Sequence, residues 1–286
     1  MDNKGSYRIR NASMSELHIM LDWAAAEGWN PGLDDAEAYY VADCNGFFIG
    51  FLDDQPVACI SAVKYTSAFG FIGFYIVKPE FRGQKYGFQI WNRALEYLKG
   101  CNIGLDGVVE QQSKYRKSGF NLAYQNIRYE GRGRGIGTVA GSPQIQDLTE
   151  VSTDMLLSYD HKMFPVEREA FITSWIGQSH ARASGYVEGD QLAGYGVIRK
   201  CRQGYKIGPL FADSPVIAEQ LFEALVSSVE ETALVYLDIP RINEAALKLV
   251  DEYQMQPVFE TARMYTGTAP AIDMNCLYGV TSFEIG

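Results

Sequence analysis

A register of 135 residues runs through this 286-residue chain and constrains its fold more than any single motif does. Ile72-Gly73 recurs as Ile207-Gly208, Ala58 as Ala193 in a similar hairpin, and Arg128 near the end of one half as Arg263 near the end of the other. Ala94-Leu95 recurs as Ala224-Leu225 at an offset of 130, so the second copy carries a loop five residues shorter. Single coincidences are cheap, but three equal offsets at matching places in the pattern imply two homologous halves. They are expected to be domains over 1–131 and 146–286, with 132–145 as the linker.

In the first half, Ser13-Met14-Ser15-Glu16 forms a capping box, Leu17, Met20, Leu21 and Ala24 share a helical face, and Gly28 is placed to end that helix. Trp29-Asn30-Pro31-Gly32 reads as a turn into a short helix that has Asp34, Asp35 and Glu37 at its positive end. Strands are predicted over 46–52, 57–65 and 68–77, the first two joined by a hairpin turn at Asp53-Asp54-Gln55-Pro56. Beyond a loop from Arg82 to Gly87, Phe88, Trp91, Leu95 and Leu98 repeat at helical spacing as far as Gly100. A strand over 102–109, a short helix over 112–118 and a strand over 121–129 complete a mixed α/β sheet.

Composition removes several classes. With 47% hydrophobic and 13% aromatic residues the chain is not intrinsically disordered. No apolar run reaches the ~18 residues of a spanning helix. Met1–Arg10 has no apolar signal core, so a cytoplasmic protein without a membrane partner is expected. Five scattered cysteines lack a CxxC pair, and His18, His161 and His180 lack metal-ligand spacing; no disulfide framework and no metal are expected. Residues 1–137 balance 15 Lys/Arg against 15 Asp/Glu, while residues 138–286 carry 10 against 20, so the net charge of −10 belongs to the second half. Nucleic acid, which needs a basic field, is not an expected partner, and the acidic half reads as a solvated face. Arg132-Gly133-Arg134-Gly135-Ile136-Gly137 imitates a phosphate loop but precedes Pro143 and no amphipathic helix, so it reads as a flexible basic linker.

The informative stretch runs from Phe71 to Leu98. A β-branched and aromatic strand ends at Val77, a loop carries Lys78, Arg82 and Lys85, and a helix starts near Gly87. Free amides and a partial positive charge at a helix start suit a pyrophosphate. Val77-Lys78-Pro79, then Arg82 and Gly87, resemble the coenzyme A loop of the GNAT N-acetyltransferase superfamily, Gln/Arg-x-x-Gly-x-Gly/Ala after a strand ending in Val-x-Pro. The departure is Lys85, where the inner glycine is usual. Lys114-Tyr115-Arg116-Lys117-Ser118-Gly119-Phe120 is similar to the family's Tyr-x-x-x-Gly-Phe segment, and the tandem arrangement resembles a two-domain GNAT subfamily with a strand-rich tail such as 277–283.

The resemblance implies tandem GNAT-like acyl-CoA N-acyltransferase domains in which acetyl-CoA, as co-substrate, lies where the strand at Tyr75-Ile76-Val77 splays from its neighbour. Ile76, Val77, Lys78, Arg82, Gly83, Gln84, Lys85, Tyr86, Gly87 and Phe88 would hold it. A primary amine of a small molecule would attack the thioester directly, with an amide near Ile76 or Val77 steadying the oxyanion. Tyr115, by composition one of 18 tyrosines, takes the role of general acid to the departing thiolate. Glu27, Asp34, Asp35, Asp106 and Glu110 stay open as general base, with capping the simpler reading of Asp34 and Asp35. Trp29, Asp34 and Tyr39 are candidate acceptor contacts, and Tyr40 lies in the same helical region.

In the second half, Gly208-Pro209-Leu210-Phe211-Ala212-Asp213-Ser214-Pro215 replaces the cationic loop and puts Asp213 where phosphate wants a cation. Ser214 and Pro215 read as the cap and first position of a helix bearing Ala218, Leu221, Phe222, Leu225 and Val229 on one face. A degenerate GNAT domain is expected there, completing the acceptor site or packing the first domain; a second acyl-CoA or nucleotide site is the alternative. For the whole chain the rival to N-acetyl transfer is a non-catalytic acyl-CoA-binding or sensing protein. Oligomeric state is not legible.

Overall fold

In the computed structural model, which describes residues 6–137 and 142–286, the sequence repeat becomes a repeat of elements. The first half runs β1 (Tyr7–Asn11), α1 (Met14–Ala26), α2 (Asp35–Ala42), β2 (Phe47–Leu52), β3 (Gln55–Lys64), β4 (Phe69–Val77), α3 (Tyr86–Tyr97), β5 (Asn102–Val108), α4 (Gln112–Lys117) and β6 (Asn121–Arg132). The second follows in the same order as β7 (Ile145–Asp147), α5 (Thr153–Met163), α6 (Glu169–Ile176), β8 (Ala181–Glu188), β9 (Gln191–Lys200), β10 (Tyr205–Ala212), α7 (Pro215–Val226), β11 (Leu234–Pro240), α8 (Glu244–Glu252) and β12 (Gln256–Tyr265), with a short extra strand β13 (Leu277–Gly279).

The two halves share one sheet ordered β1-β2-β3-β4-β5-β12-β6-β11-β10-β9-β8-β7, with β13 set on β10. They exchange their last strands. β12 of the second half pairs with β5 of the first, and β6 of the first pairs with β11 of the second. Alternation along β2 sends Phe47, Ile49 and Phe51 to one face and Phe48 to the other. The first face is covered by a core drawn from both halves, including α1, α2, α5 and α6. The opposite face carries one core per half, under α3 and under α7 with α8.

Local chemistry places several boundaries as expected. Ser13 N donates to Glu16 at 2.9 Å in the capping box, and Gly28 takes φ +81° just beyond α1. Glu16 also accepts two hydrogen bonds from Arg10, at 2.8 and 2.6 Å, which hold its carboxyl down at about 2. Ser214 caps α7 and Pro215 opens it.

Other expectations are corrected. β1 occupies residues read only as polar, its side chains half-buried or exposed. The segment Arg132–Gly137 is not a flexible linker: Gly133 N bonds Ala233 O, Arg134 N bonds Val226 O and Gly137 N bonds Ser227 O, at 2.9, 3.0 and 3.3 Å. Of the rest of the expected linker, residues 138–141 lie outside the described residues and Ile145 already opens β7. The tail over 277–283 is strand only at its first three residues, yet all of 277–286 is buried.

Candidate active site

β4 and β5 pair in parallel from Phe69–Asn102 to Ile72–Leu105 and then part. On its other edge β4 keeps β3 as far as Val77–Ala58, across a bulge at which Phe74 takes φ +47°. The backbone from Gly73 to Val77 therefore borders a cavity of about 930 Å³ with no strand beside it. Such an edge offers amide and carbonyl groups to an extended ligand, as a sheet edge does to an added strand.

The cavity runs on to the start of α3. The first bond of that helix runs from Gln89 N to Lys85 O at 3.1 Å, so the amides of Tyr86, Gly87 and Phe88 precede any carbonyl the helix can offer them. Gly83 turns the loop at φ +79°, and Lys85, standing where a glycine is usual, adopts the glycine-like φ of +71°. The departure thus keeps the backbone path, at a cost of about 1 kcal/mol for a residue with a Cβ. Gly87 is closely packed: a Cβ there would lie 2.8 Å from Tyr75 Oη and 3.0 Å from Val77 Cγ2, so a neighbour would have to give way. Arg82, paired with Glu27, and Lys85, Lys114 and Lys117 are among the residues that line the cavity.

Of the residues expected to hold the acyl carrier, Ile76, Val77, Arg82, Gly83, Lys85, Gly87 and Phe88 line the cavity. Lys78 instead lies over the Trp23 ring, Gln84 donates to Glu80 O, and the Tyr86 ring packs on Tyr7. Arg82 donates to Val77 O at 2.9 Å and pairs with Glu27. Tyr115 lines the cavity against Trp91, its ring fitting because Gly107 opposite has no side chain: a Cβ there would overlap Tyr115 Cε2. Burial, reinforced by Tyr75, pushes the Tyr115 hydroxyl above its ordinary value, so it stays protonated.

The acceptor contacts divide. Trp29 lines the cavity. Asp34 does not; it neither caps α2 nor meets the cleft, and holds the backbone N and Nδ1 of His180 at 3.0 and 2.9 Å. Tyr39 is fully buried behind the cleft wall, its hydroxyl on Asp35, Ser282 and Glu284. Among the candidate bases, Asp35 is bound to Arg199, Gly32 N and Tyr39; Asp106 to Arg263 and Asn126; Glu27 to Arg82. Glu110 lines the cavity and is exposed. Sequence reasoning missed the wall supplied by the second half: Phe259, Thr261, Phe283 and Glu284. Its one visible signal was the apolar character of the tail.

The second half opens the same splay and fills it. β10 and β11 pair from Tyr205–Val235 to Ile207–Leu237 and part where the repeat requires. Into the gap runs the tail: β13 pairs with Leu210 and Phe211, and Val280 N bonds Asp238 O at 2.9 Å. Gly208, the counterpart of Gly73, meets tail carbonyls; a Cβ there would lie only 2.6 Å from Thr281 O. Asp213 accepts from Tyr159 at 2.7 Å at the place where the first half has its cationic loop. No stretch of β10 edge comparable to Gly73–Val77 is left for a carrier.

Among the described residues no group of three His, Cys, Asp or Glu side chains is arranged to hold a metal, and no helix is long and apolar enough to cross a membrane.

A splayed parallel pair beside a helix start is thus built twice in this chain, open in the first half and filled in the second. The acetyltransferase (GNAT) family matches residues 14–120 and an acetyltransferase (GNAT) domain matches residues 156–279. The chain belongs to the GNAT superfamily, as an acyltransferase with two GNAT domains in tandem. It is 29% identical over 287 residues to the holothin acyltransferase of Pseudoalteromonas sp. (strain SANK 73390), covering 100% of this chain and 97% of that protein. Its fold matches a crystal structure of a protein from Pyrococcus horikoshii with a TM-score of 0.82, at 24% identity over 98% of this chain and 96% of that one. A tandem GNAT protein from the clavulanic acid biosynthesis pathway matches with a TM-score of 0.64, at 11% identity over 92% and 100%.

Proposed function

We propose that this acyltransferase carries an acetyl group from acetyl-CoA to a primary amine of a small molecule, by direct attack in the first-half cleft. One observation carries the reading: the unpaired edge of β4 from Gly73 to Val77 leads straight to the free amides that open α3. The edge suits the pantetheine amides, and the helix start with Lys85, Lys114 and Lys117 suits the phosphates. An amide at Ile76 or Val77 meets the charge that develops on the thioester oxygen. Tyr115, held protonated by burial, gives its proton to the leaving thiolate.

A relative named for holothin that spans the whole chain supports a discrete acceptor, and the walled inner end of the cavity supports one of metabolite size. A second feature favours the enzyme over a carrier-sensing protein: a cleft that only sensed acyl-CoA has no need of the further wall built from Phe259, Thr261 and Phe283 of the other half.

Thiol release from acetyl-CoA with a panel of primary amines tests this. Turnover is expected, with kcat lowered at least about 100-fold in Tyr115→Phe. Arg82→Glu is expected to weaken coenzyme A binding far more than Arg182→Glu. Binding of acetyl-CoA with no turnover on any amine would favour the sensing protein, and equal effects of the two arginine changes would count against the loop.

A further inference from the structure

The tail that fills the second cleft does not stop there. At Thr281 it is still held by the second half, Oγ1 accepting from Arg168 at 3.1 Å, and by Glu284 it has reached the first half, where Ser61 Oγ donates to the Glu284 carbonyl at 3.3 Å. There the tail backbone lies on the bulge of β4, and a Cβ on Gly73 would overlap Glu284 O. Glu284 is thus fixed at the wall of the acyl cleft.

Its carboxylate is half satisfied. Oε2 accepts from Ser282 Oγ and from Tyr39 Oη, the latter at 3.3 Å. Oε1 is buried and has no hydrogen-bond partner. The nearby cations donate elsewhere: Lys206 to Trp29 O, Arg128 to Asp238 and Trp29 O. An orphaned carboxylate oxygen in a buried place is costly, and that cost is relieved by a donor reaching it. Beside it on the same wall, Thr261 Oγ1 is also buried without a partner. This wall of the cleft therefore carries a carboxylate oxygen with no donor on it and a hydroxyl with no partner. A primary amine brings the donor that Oε1 lacks.

Resting on the amine-acetylation reading, we propose that Glu284 is the carboxylate that receives the acceptor amine and takes its proton. The glutamate χ3 torsion is soft, so turning Oε1 to the cleft needs a side-chain rotation and no movement of the backbone. The amine lone pair attacks the thioester carbon, the C–N bond forms, and the N–H proton passes to Oε1. The C–S bond breaks with its electron pair on sulfur, and the thiolate takes a proton from Tyr115. Water returns a proton to Tyr115 and removes one from Glu284, so amine and thioester become amide and thiol.

The test compares the wild type with Glu284→Gln and Glu284→Asp in steady-state turnover of acetyl-CoA with the primary-amine panel, alongside calorimetric affinity for coenzyme A and thermal melting. Glu284→Gln keeps the shape of the side chain and is expected to lower kcat/KM for the amine at least about 100-fold, with coenzyme A affinity and melting unchanged. Glu284→Asp, with its carboxylate drawn back by one methylene, is expected to fall between. Turnover by Glu284→Gln within about threefold of wild type overturns the proposal alone. So does an equal loss of amine turnover and coenzyme A affinity, or failure of both variants to melt cooperatively, either of which gives Glu284 a structural role. A wild type that turns over none of the amines overturns the amine reading and the proposal with it.

Discussion

Arg128 grips both carboxylate oxygens of Asp238, Nε at 2.6 Å and Nη2 at 2.7 Å. The repeat mirrors this pair: Arg263 holds Asp106 in the same two-pronged way, at 2.8 and 2.6 Å. Each arginine sits on the exchanged strand of one half and each aspartate on the strand of the other half that it joins. The two pairs are nearly dry, with side-chain exposures of 4% and 2% in the first and 7% and 0% in the second. Burial pushes Asp238 up, but the Arg128 charge and hydrogen bonds, aided by Lys206 and Arg199, pull it below the ordinary carboxylate range, so it remains ionised.

Breaking one pair strands a buried charge, which typically costs about 3–5 kcal/mol. Asp238→Ala is expected to lower stability by that order in denaturant unfolding, with a single transition retained because the shared sheet couples the halves. A loss below about 1 kcal/mol would show that the pair is not needed to hold the exchange.

Two glycines are set by contact rather than by turn geometry. Gly87→Ala drives a methyl against Tyr75 and Val77 and is expected to cost about 1–3 kcal/mol while weakening coenzyme A binding, since either those side chains or the start of α3 must give way. Gly73→Ala meets tail backbone instead, so it is expected to displace Glu284 and lower amine turnover more than coenzyme A affinity. Calorimetric titration beside steady-state kinetics separates the two. Identical profiles would contradict this division of the cleft.

The Tyr115 proton also has a pH signature. A hydroxyl raised above its ordinary value of 10.0 stays protonated throughout the neutral and mildly alkaline range. Loss of that acid therefore causes no fall in kcat below pH of about 10. A declining limb centred below pH of about 9 that disappears in Tyr115→Phe would contradict the assignment.

What was legible in the sequence follows from locality. The strands, the α3 amphipathic run, the capping box and the turn from Arg82 to Gly87 are written in neighbouring residues, and the 135-residue register exposed the second copy. The strand exchange was not legible, because β6 reads the same whether it joins its own half or the other. Asp34 and Asp35 looked like caps because a helix start explains acids locally, whereas their partners His180 and Arg199 lie more than 140 residues away. Glu284 was missed for the same reason: nothing near it in the chain says that the tail crosses two clefts. Lys85 departs from the motif in residue type but not in backbone, a distinction only the φ angle reveals.

The central claim is that the first-half turn and strand edge grip the acyl carrier while the tail closes the second cleft. A crystal structure grown with acetyl-CoA tests it most directly. One carrier per chain is expected, its pyrophosphate on the amides between Gly83 and Phe88 and its pantetheine arm along Gly73–Val77. A carrier bound beside Leu210 and Phe211 with the tail expelled, or a first-half turn left empty at saturating ligand, would contradict it.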